Sequence, residues 1–369
     1  MKTKILSFAK ANAVVLIAAF AALVTSFIIP PDSAYLDYFD FKTLTCLFCV
    51  LAVVCALRNI RFFYTMAKAI VRKFKNTKLA VLALVYITFI GSMLIANDMA
   101  LLTFLPLGYF VLRTTGKEKY MAFTYIMQNI AANLGGMLTP FGNPQNLYLY
   151  TKFNIPDGEF ISIMFPPFIV AISLITLLCL LFVKAEPLEI QEKAAQLPLP
   201  RVIIYLALFA LSILIVFRTI PFVIGLIVIP VALLFLDREA LKSVDYGLLL
   251  TFVFFFIFSG NMARIEGVRS FFSALLERNT LLFSALSCQV ISNVPSAILL
   301  SQFTLNYREL LLGVNIGGVG TLIASLASLI TFKAYTKDQP GNTARYILKF
   351  TAFNFLFFIV LVAFCTVLK

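Results

Sequence analysis

Histidine and tryptophan are absent from this 369-residue sequence, and charged residues make up only 13% of it. Without histidine the chain lacks the commonest general base and the commonest metal ligand, which disfavours a His-based hydrolase and an intramembrane metalloprotease. We find no other reactive constellation and expect a protein that is not an enzyme. The low charge content also argues against a soluble protein, because a soluble surface of this size needs more polar side chains.

Cysteine is scarce as well. The six cysteines do not suggest a disulfide framework. Cys46 and Cys49 form a C-x-x-C, but the pair falls inside an apolar segment, where free cysteine usually packs as a small hydrophobe. A redox function is therefore disfavoured.

The abundant residues are apolar. Hydrophobic residues make up 61% of the chain, its mean hydropathy is +0.97, and several apolar segments are too long for strands. The sequence predicts an all-α polytopic membrane protein with about nine spans and two additional hairpins. We therefore expect membrane lipid to be one of its partners.

The net charge of +13 follows the predicted topology. If the second half of the chain is inverted relative to the first, about three quarters of the lysines and arginines fall on one side of the membrane, as expected for cytoplasmic segments. We therefore predict a cytoplasmic-membrane protein with a cytoplasmic N-terminus and an exterior C-terminus. The basic excess reflects topology, and no nucleic-acid partner is expected.

Residues 133–147, NLGGMLTPFGNPQNL, interrupt a segment that is otherwise apolar. Proline and glycine open the helix here and leave backbone groups without helical partners. Such backbone is tolerated at membrane depth only where protein or a water-filled cavity surrounds it. A second stretch of this kind, residues 315–329, reads NIGGVGTLIASLASL. Both stretches predict broken helices beside a cavity.

Two pairs of apolar arms have polar tips. Residues 79–96 and 100–112 are joined by Asn97-Asp98-Met99, and residues 281–290 and 298–305 are joined by a stretch containing Ser292 and Asn293. We interpret both pairs as re-entrant hairpins, because the second pair has arms of about ten residues where about twenty are needed to cross. Two ordinary spans remain the alternative for the first pair.

The motifs recur in order and indicate an internal repeat. We predict a first inverted repeat over residues 1–183, a cytoplasmic linker and connecting span over 184–217, and a second inverted repeat over 218–369. The hairpin and broken helix are expected at residues 79–112 and 120–149 in the first repeat, and at residues 281–305 and 310–332 in the second.

This combination of Asn-bearing tips and Gly-Gly broken helices in both halves resembles the ion transporter superfamily, over essentially the whole chain. That group includes arsenite permeases, sodium/proton antiporters, citrate and related anion permeases, and divalent-anion/sodium symporters. The resemblance implies a secondary active transporter of a small carboxylate or oxyanion with sodium or proton symport, working as an elevator and forming a homodimer. A sodium/proton antiporter and an arsenite-type metalloid permease are the alternatives.

The tips depart from the symporter pattern. The second keeps Ser292 and Asn293 but has Val294 where threonine is expected, and the first, Ala96-Asn97-Asp98, is closer to the arsenite and citrate branches. Asp98 is the one carboxylate that the sequence places in the membrane, where an ionisable group is functional by default. It couples transport to sodium or to a proton, or it caps the helix that follows, and the two roles are compatible.

Helix N-termini at such a site favour an anion, and unwound carbonyls can hold a cation such as sodium. No cofactor is expected beyond sodium as a coupling ion. The predicted substrate-binding residues are Asn97, Asp98, Thr139, Asn143, Asn146, Ser292, Asn293, Thr321 and Ser325. The predicted cation-coupling residues are Asn97, Asp98, Gly135, Gly136, Leu138, Asn293, Gly318 and Gly320.

Overall fold

A computed structural model describes residues 13–189 and 196–368 of the chain. Its regular secondary structure there is helical throughout, which confirms the predicted all-α fold. Within these two ranges, six helices are long and apolar enough to cross a membrane, and three shorter helices are apolar. Five of the lysines on which the predicted membrane topology rests lie outside the described residues: Lys2, Lys4, Lys10, Lys193 and Lys369.

The described part of the first half, from residue 13 onward, contains eight α-helices. They are α1 Ala13–Ile28, α2 Phe41–Asn59, α3 Phe62–Val71, α4 Thr77–Ile95, α5 Asn97–Thr114, α6 Met121–Gly135, α7 Pro144–Lys152 and α8 Asp157–Phe182. The first hairpin is α4 and α5, and the first broken helix is α6 and α7. The arm α4 is itself long enough to cross a membrane, so the re-entrant hairpin stays a prediction for this pair, with two ordinary spans as its alternative.

The second half contains nine helices in the described range. They are α9 Leu199–Val216, α10 Phe222–Leu236, α11 Arg238–Lys242, α12 Tyr246–Arg264, α13 Glu266–Ile291, α14 Asn293–Leu300, α15 Tyr307–Ile316, α16 Leu326–Asp338 and α17 Thr343–Val367. Helix α13 is kinked at Asn279, which has non-helical backbone angles. The kink separates the first part of this helix, which begins at Glu266, from the first arm of the second hairpin.

Both broken helices restart at a residue suited to a helix start. After α6 the chain forms a short 3₁₀ turn, Gly136–Leu138, and α7 begins at Pro144, whose fixed φ suits the first helical position. In the second half α16 begins after Ser325, whose Oγ accepts the amide N–H of Ser328 at 3.2 Å. The predicted interruptions are therefore present in both halves.

Each hairpin turns on a single residue, which corrects the expectation of a polar loop. Ala96 has φ 63° and ψ 151°, and Ser292 has φ 74° and ψ 160°. Asn97 and Asn293 already belong to the helices that follow. The tip side chains are consequently presented by helix N-termini.

The two halves share contacts between hairpin and broken helix. The Thr139 hydroxyl donates to the carbonyl of Met93 at 2.6 Å, and the Thr321 hydroxyl donates to the carbonyl of Gln289 at 3.1 Å. Met93 and Gln289 each lie three residues before the hairpin turn. Each broken segment is thus fastened to its own hairpin by the same bond. The domain boundaries and the inverted orientation of the second half stay predictions.

Close helix packing explains two of the glycines at the breaks. A Cβ atom on Gly135 would lie 2.1 Å from the carbonyl oxygen of Phe89, and one on Gly317 would lie 2.8 Å from that of Ala285. No larger residue fits without moving backbone. The broken helices therefore lie directly against the first arms of the hairpins.

Helices α1 and α12 pack together beside the hairpin tips. The amide of Asn261 donates to Thr25 Oγ1 at 3.3 Å, and Arg264 forms a 2.7 Å salt bridge with Asp32 at the end of the pair. This pair provides the wall against which both tips lie.

Candidate functional site

The two hairpin tips meet at one cavity of about 420 Å³, between the α1 and α12 pair and the broken helices. Most of its lining residues are apolar, and they come chiefly from α1, α12 and the two helices of the second hairpin, α13 and α14. Its polar lining residues are Asn97, Asp98, Gln145, Asp245, Thr251, Ser292 and Asn293. The structure thus brings together the four predicted tip residues, although they come from opposite halves of the sequence.

Four helix N-termini reach this cavity. Asn97 begins α5, Pro144 begins α7, Asn293 begins α14 and Leu326 begins α16, and all four residues line the cavity. The first amides of a helix lack intrahelical acceptors, and the helix dipole places partial positive charge there. Their convergence favours an anion in the cavity.

The tip asparagines are held in the same way. The side-chain oxygen of Asn97 accepts the amide N–H of Asp98 at 2.9 Å, and that of Asn293 accepts the amide N–H of Val294 at 2.9 Å. Both side chains are 3% exposed. Because the oxygens are engaged, the side-chain N–H groups are what these residues can offer to a ligand. Asn97 already uses one of them on Asn133 Oδ1 at 3.3 Å.

Asp98 does not cap the helix that follows, which excludes one of its two predicted roles. It is the second residue of α5, and its Oδ1 is buried without a hydrogen-bond partner among the described residues. A buried carboxylate oxygen without a donor is costly unless a cation or a proton neutralises it. The carboxylate is therefore available for ion coupling.

The cavity wall contains a second carboxylate, Asp245, which was not among the predicted site residues. Asp245 caps α12 by accepting the amide N–H of Leu248 at 2.9 Å, and it also lines the cavity. The available signal was the aspartate immediately before an apolar span, as at Asp40, which caps α2 by accepting the amide N–H of Thr43 at 2.9 Å. That signal predicts a cap and does not reveal which cavity lies beside it.

Gln145 was also missed. Its side-chain N–H donates to Asn315 Oδ1 at 3.4 Å, while its Oε1 is buried without a partner among the described residues. Its position directly after Pro144, in the first turn of α7, was the available signal. With Asp98 it gives the cavity two unengaged acceptor oxygens.

Asn143 and Asn146 lie outside the cavity lining and instead hold the first break together. The Asn146 side chain donates to the carbonyls of Gly136, Met137 and Thr139, each at 3.2 Å. These carbonyls would otherwise lack donors in an apolar interior. Asn143 donates to the Asn133 carbonyl at 3.1 Å. Both residues act on the backbone of the break.

The backbone of the second break is held by a side chain from the neighbouring hairpin. Gln289, on the first arm of the hairpin, donates to the carbonyls of Gly317 at 2.9 Å and Val319 at 3.1 Å. Its Oε1 accepts the amide N–H of Thr321 at 2.8 Å. Gly320 has φ 130°, and a Cβ atom there would lie 2.1 Å from this oxygen. Thr321 and Ser325 are likewise outside the cavity lining.

Most of the predicted cation-coupling glycines lie in the breaks and not at the cavity wall. The Gly136 carbonyl is engaged by Asn146, and the backbone of Gly135 and Leu138 lies outside the lining. Gly318 is the nearest to the tips, since a Cβ atom there would lie 3.2 Å from Asn293 Nδ2. Within this set the cavity brings together Asn97, Asp98 and Asn293.

The breaks are joined at Asn315. Its side-chain N–H donates to Asn146 Oδ1 at 2.6 Å, and its oxygen accepts from Asn143 Nδ2 at 3.2 Å. All three side chains are buried. The two halves of the site therefore form a single hydrogen-bonded core behind the cavity.

Three comparisons with known proteins agree with this architecture. The sequence model of the citrate transporter family (CitMHS) matches residues 5–310. The chain is 35% identical to the uncharacterized transporter MJ0456 of Methanocaldococcus jannaschii over 334 residues, covering 89% of this chain and 90% of that protein. It is 31% identical to the inner membrane protein YbiR of Escherichia coli K12 over 281 residues, 74% of each.

The fold also resembles a solved structure. The crystal structure of the Alcanivorax borkumensis YdaH transporter, described as having an unusual topology, superposes with a TM-score of 0.55 and covers 96% of this chain and 97% of its own. The sequences are 13% identical. At that identity the likeness shows the fold alone.

Proposed function

The chain belongs to the citrate transporter family and is an integral membrane transporter of the citrate and anion-permease type, and on that premise we propose that it is a secondary active transporter of a small carboxylate or oxyanion. In this proposal transport is coupled to sodium or protons. The substrate occupies the cavity between the hairpin tips.

The observation that carries the proposal is the convergence of four helix N-termini on one cavity. Together they direct partial positive charge into the cavity from four directions, which suits a compact anion. The side-chain N–H groups of Asn293 and Asn97 add hydrogen-bond donors.

The charge balance of the cavity argues for coupling. Its described lining contains Asp98 and Asp245 and no lysine or arginine. A bound anion would be repelled by these carboxylates. As a general magnitude, two like charges about 5 Å apart repel by roughly 3 kcal/mol at an effective dielectric constant of 20. An anion therefore gains by entering together with a cation or proton that neutralises the carboxylate. The unengaged oxygens of Asp98 and Gln145 offer ligands for that cation.

We place the moving boundary between the α1 and α12 pair and the tips. The cavity lies along this boundary, with Val14 and Thr251 on one wall and Asn97 and Asn293 on the other. In an elevator, the hairpins and broken helices would slide as one body past α1 and α12 and carry the site across. The hydrogen bonds that join the two breaks support movement as one body.

Sodium/proton antiport is the second candidate, and a specific observation favours it. The two unengaged acceptor oxygens and the two carboxylates of the cavity could alternately bind sodium and protons without any anion. Such a protein would exchange sodium for protons and would transport no anion.

Uptake by purified protein in proteoliposomes distinguishes the candidates. We would offer radiolabelled mono-, di- and tricarboxylates, inorganic oxyanions and arsenite, with a sodium gradient and a pH gradient imposed separately, and use protein-free liposomes as the control. The proposal expects saturable uptake of at least one carboxylate or oxyanion that requires one gradient. Uptake indifferent to both gradients would refute coupling, and sodium/proton exchange without anion uptake would establish the second candidate.

A further inference from the structure

A second cavity, of about 310 Å³, lies behind the first hairpin tip. It is lined by Arg58, Arg61, Phe63 and Tyr64, around the junction of α2 and α3, and by Leu102, Thr103 and Pro106 on α5. The residues of α5 that line it follow Asp98 by one to two helical turns. None of the seven lining residues borders the cavity between the tips, so this is a separate site.

The charged residues that line this cavity are all positive. Arg58 and Arg61 line it, and no described carboxylate does. The polar contact recorded for the Arg58 guanidinium is a weak one, from Nη1 to the sulfur of Met99 at 3.7 Å. Among the described residues, the salt bridges involve other cations, Lys117, Lys119, Lys242 and Arg264. Two guanidinium groups that share a cavity without a counter-charge call for an anion.

The backbone holds Arg61 at this position against its own preference. Arg61 has φ 55° and ψ 30°, a left-handed conformation that non-glycine residues rarely adopt, and its side chain makes no capping bond to α3. The turn brings the Arg61 side chain to the same cavity as Arg58, three residues before it. A strained residue with a charged side chain indicates a functional constraint at the turn.

The cavity belongs to the basic face of the molecule. The Asn59 side chain bonds Asp237 at 3.1 Å, which joins this junction to the short helix α11 with Arg238 and Lys242. In the predicted topology this face is cytoplasmic, where anionic lipids give the leaflet a negative surface potential. Basic pockets between helices on that side suit lipid phosphates.

We propose that the Arg58 and Arg61 cavity binds a phosphate group, presented by the headgroup of an anionic lipid. The planar guanidinium groups match phosphate oxygens in bidentate fashion, and Tyr64, a residue whose side chain can donate a hydrogen bond, lines the same cavity. Apolar Phe63 and Leu102 border it and suit the glycerol and upper acyl carbons of a lipid. Because Arg58 contacts Met99, the residue after Asp98, an occupant of this cavity adjoins the first hairpin tip.

The test measures lipid binding directly and needs no transported substrate, so it stands apart from the proposed function. Delipidated protein in a neutral detergent would be titrated with phosphatidylglycerol, phosphatidylethanolamine or soluble glycerol phosphate, and bound molecules counted by native mass spectrometry. We expect the double variant Arg58→Gln/Arg61→Gln to bind phosphatidylglycerol about tenfold or more weakly than the wild type. The matched control, Arg72→Gln/Lys73→Gln, removes two exposed charges just after α3 and should bind like the wild type.

The soluble arm separates the two sources of phosphate. Tighter binding of phosphatidylglycerol than of glycerol phosphate supports a lipid, whereas equal binding of both overturns the lipid source. Equal binding of phosphatidylglycerol to the wild type and to Arg58→Gln/Arg61→Gln overturns the site itself. Should the double variant not fold, the single change Arg61→Gln gives the same comparison, because that side chain is exposed at the rim.

Discussion

The two hairpin tips have nearly the same backbone and different chemistry. Ala96 and Ser292 turn at similar angles, and each is followed by an asparagine that accepts the next amide N–H at 2.9 Å. The next residue is Asp98 in the first tip and valine in the second. The two tips therefore share the backbone geometry that presents a helix N-terminus, but only the first tip carries a charged residue.

The breaks differ in where their hydrogen bonds come from. In the first, Asn146 belongs to the broken helix and holds the carbonyls of its own break. In the second, Gln289 reaches across from the hairpin. The first break is thus self-contained, whereas the second depends on its hairpin staying in place. Asn146 is fully buried and Gln289 is partly exposed, so the two should tolerate truncation differently.

The largest expected effect comes from removing these amides. Asn146→Ala leaves three carbonyls and one Asn315 N–H group without partners, and buried unsatisfied groups cost about 1–3 kcal/mol each. We expect a loss of about 3 kcal/mol or more in the free energy of unfolding, against about 1–2 kcal/mol for Gln289→Ala, where water can reach. Unfolding of both variants in detergent, followed by intrinsic tyrosine fluorescence, tests the order. A larger loss for Gln289→Ala would reverse the comparison.

The next effect concerns the charge that only the first tip has. If Asp98 binds the coupling cation, Asp98→Asn removes an interaction with a charged group, which contributes about 1.5–3 kcal/mol. We expect the apparent affinity for the coupling ion to fall about 10- to 150-fold. The measurement is uptake as a function of sodium concentration and of pH.

The matched control places the same amide at the other tip. Val294→Asn changes the equivalent position, where the structure has no charge to remove. It should leave the dependence on the coupling ion within about twofold of the wild type, since a shift of that size is under 0.5 kcal/mol. Equal effects of Asp98→Asn and Val294→Asn would show that the tips do not differ in function.

The sequence predicts the parts of this site that local chemistry determines. Proline and glycine in residues 133–147 and the Gly-Gly of residues 317–318 mark the breaks, because these residues act on the backbone they belong to. The tips could be recognised in the same way, from Asn97 and Asn293 between apolar arms. Hydropathy alone was sufficient for the all-α membrane fold.

Tertiary packing determines the rest, which the sequence could not reveal. Five polar residues at membrane depth looked like ligands, but the structure keeps them out of the cavity lining, and all five bond nearby backbone groups: Asn143, Asn146, Thr139, Thr321 and Ser325. Gln145 and Asp245 reach the cavity only because α7 and α12 converge there. A polar residue at membrane depth indicates that some group there requires a hydrogen bond. Only the fold shows whether that group belongs to the backbone or to the substrate.

A smaller effect tests the shared turn. Ala96 and Ser292 occupy a region of positive φ that costs about 1–3 kcal/mol for non-glycine residues. Ala96→Gly should relieve this strain and, after the extra freedom of the unfolded chain, stabilise the protein by about 1 kcal/mol. Ser292→Gly also loses the hydroxyl bond to the Ala324 carbonyl and should be close to neutral.

A helical alanine gives the control for both turn variants. Ala100→Gly in α5 should destabilise the protein by about 1 kcal/mol, as glycine does inside a helix. Melting temperatures of the three variants in one detergent provide the measurement. A decrease for Ala96→Gly like that for Ala100→Gly would mean that the turn is not strained.

The smallest effect concerns the start of the linker, which is fastened to the first half. Glu186 accepts bonds from Lys117 at 2.8 Å, Lys119 at 2.5 Å and the Tyr120 hydroxyl at 2.9 Å, and these donors, Lys117 first, lower its pKa from 4.5 to about 2. A carboxylate with a lowered pKa stabilises the folded state fully above pH 4.5, and this contribution is lost as the pH falls towards 2. At pH 7 we expect Glu186→Gln to lower the melting temperature by roughly 1–3 °C, because the group is near the surface.

The pH dependence separates this ion cluster from a merely steric contact. The difference in melting temperature between Glu186→Gln and the wild type should shrink as the pH falls from about 4.5 towards 2, since protonation of Glu186 makes the two proteins alike. The exposed neighbour Glu189 makes a matched control, and Glu189→Gln should show no such convergence. Equal melting temperatures of Glu186→Gln and the wild type at every pH would contradict the prediction. They would mean that the backbone bond from Thr77 N–H to the Glu186 carbonyl holds the linker here and that the charge cluster contributes nothing.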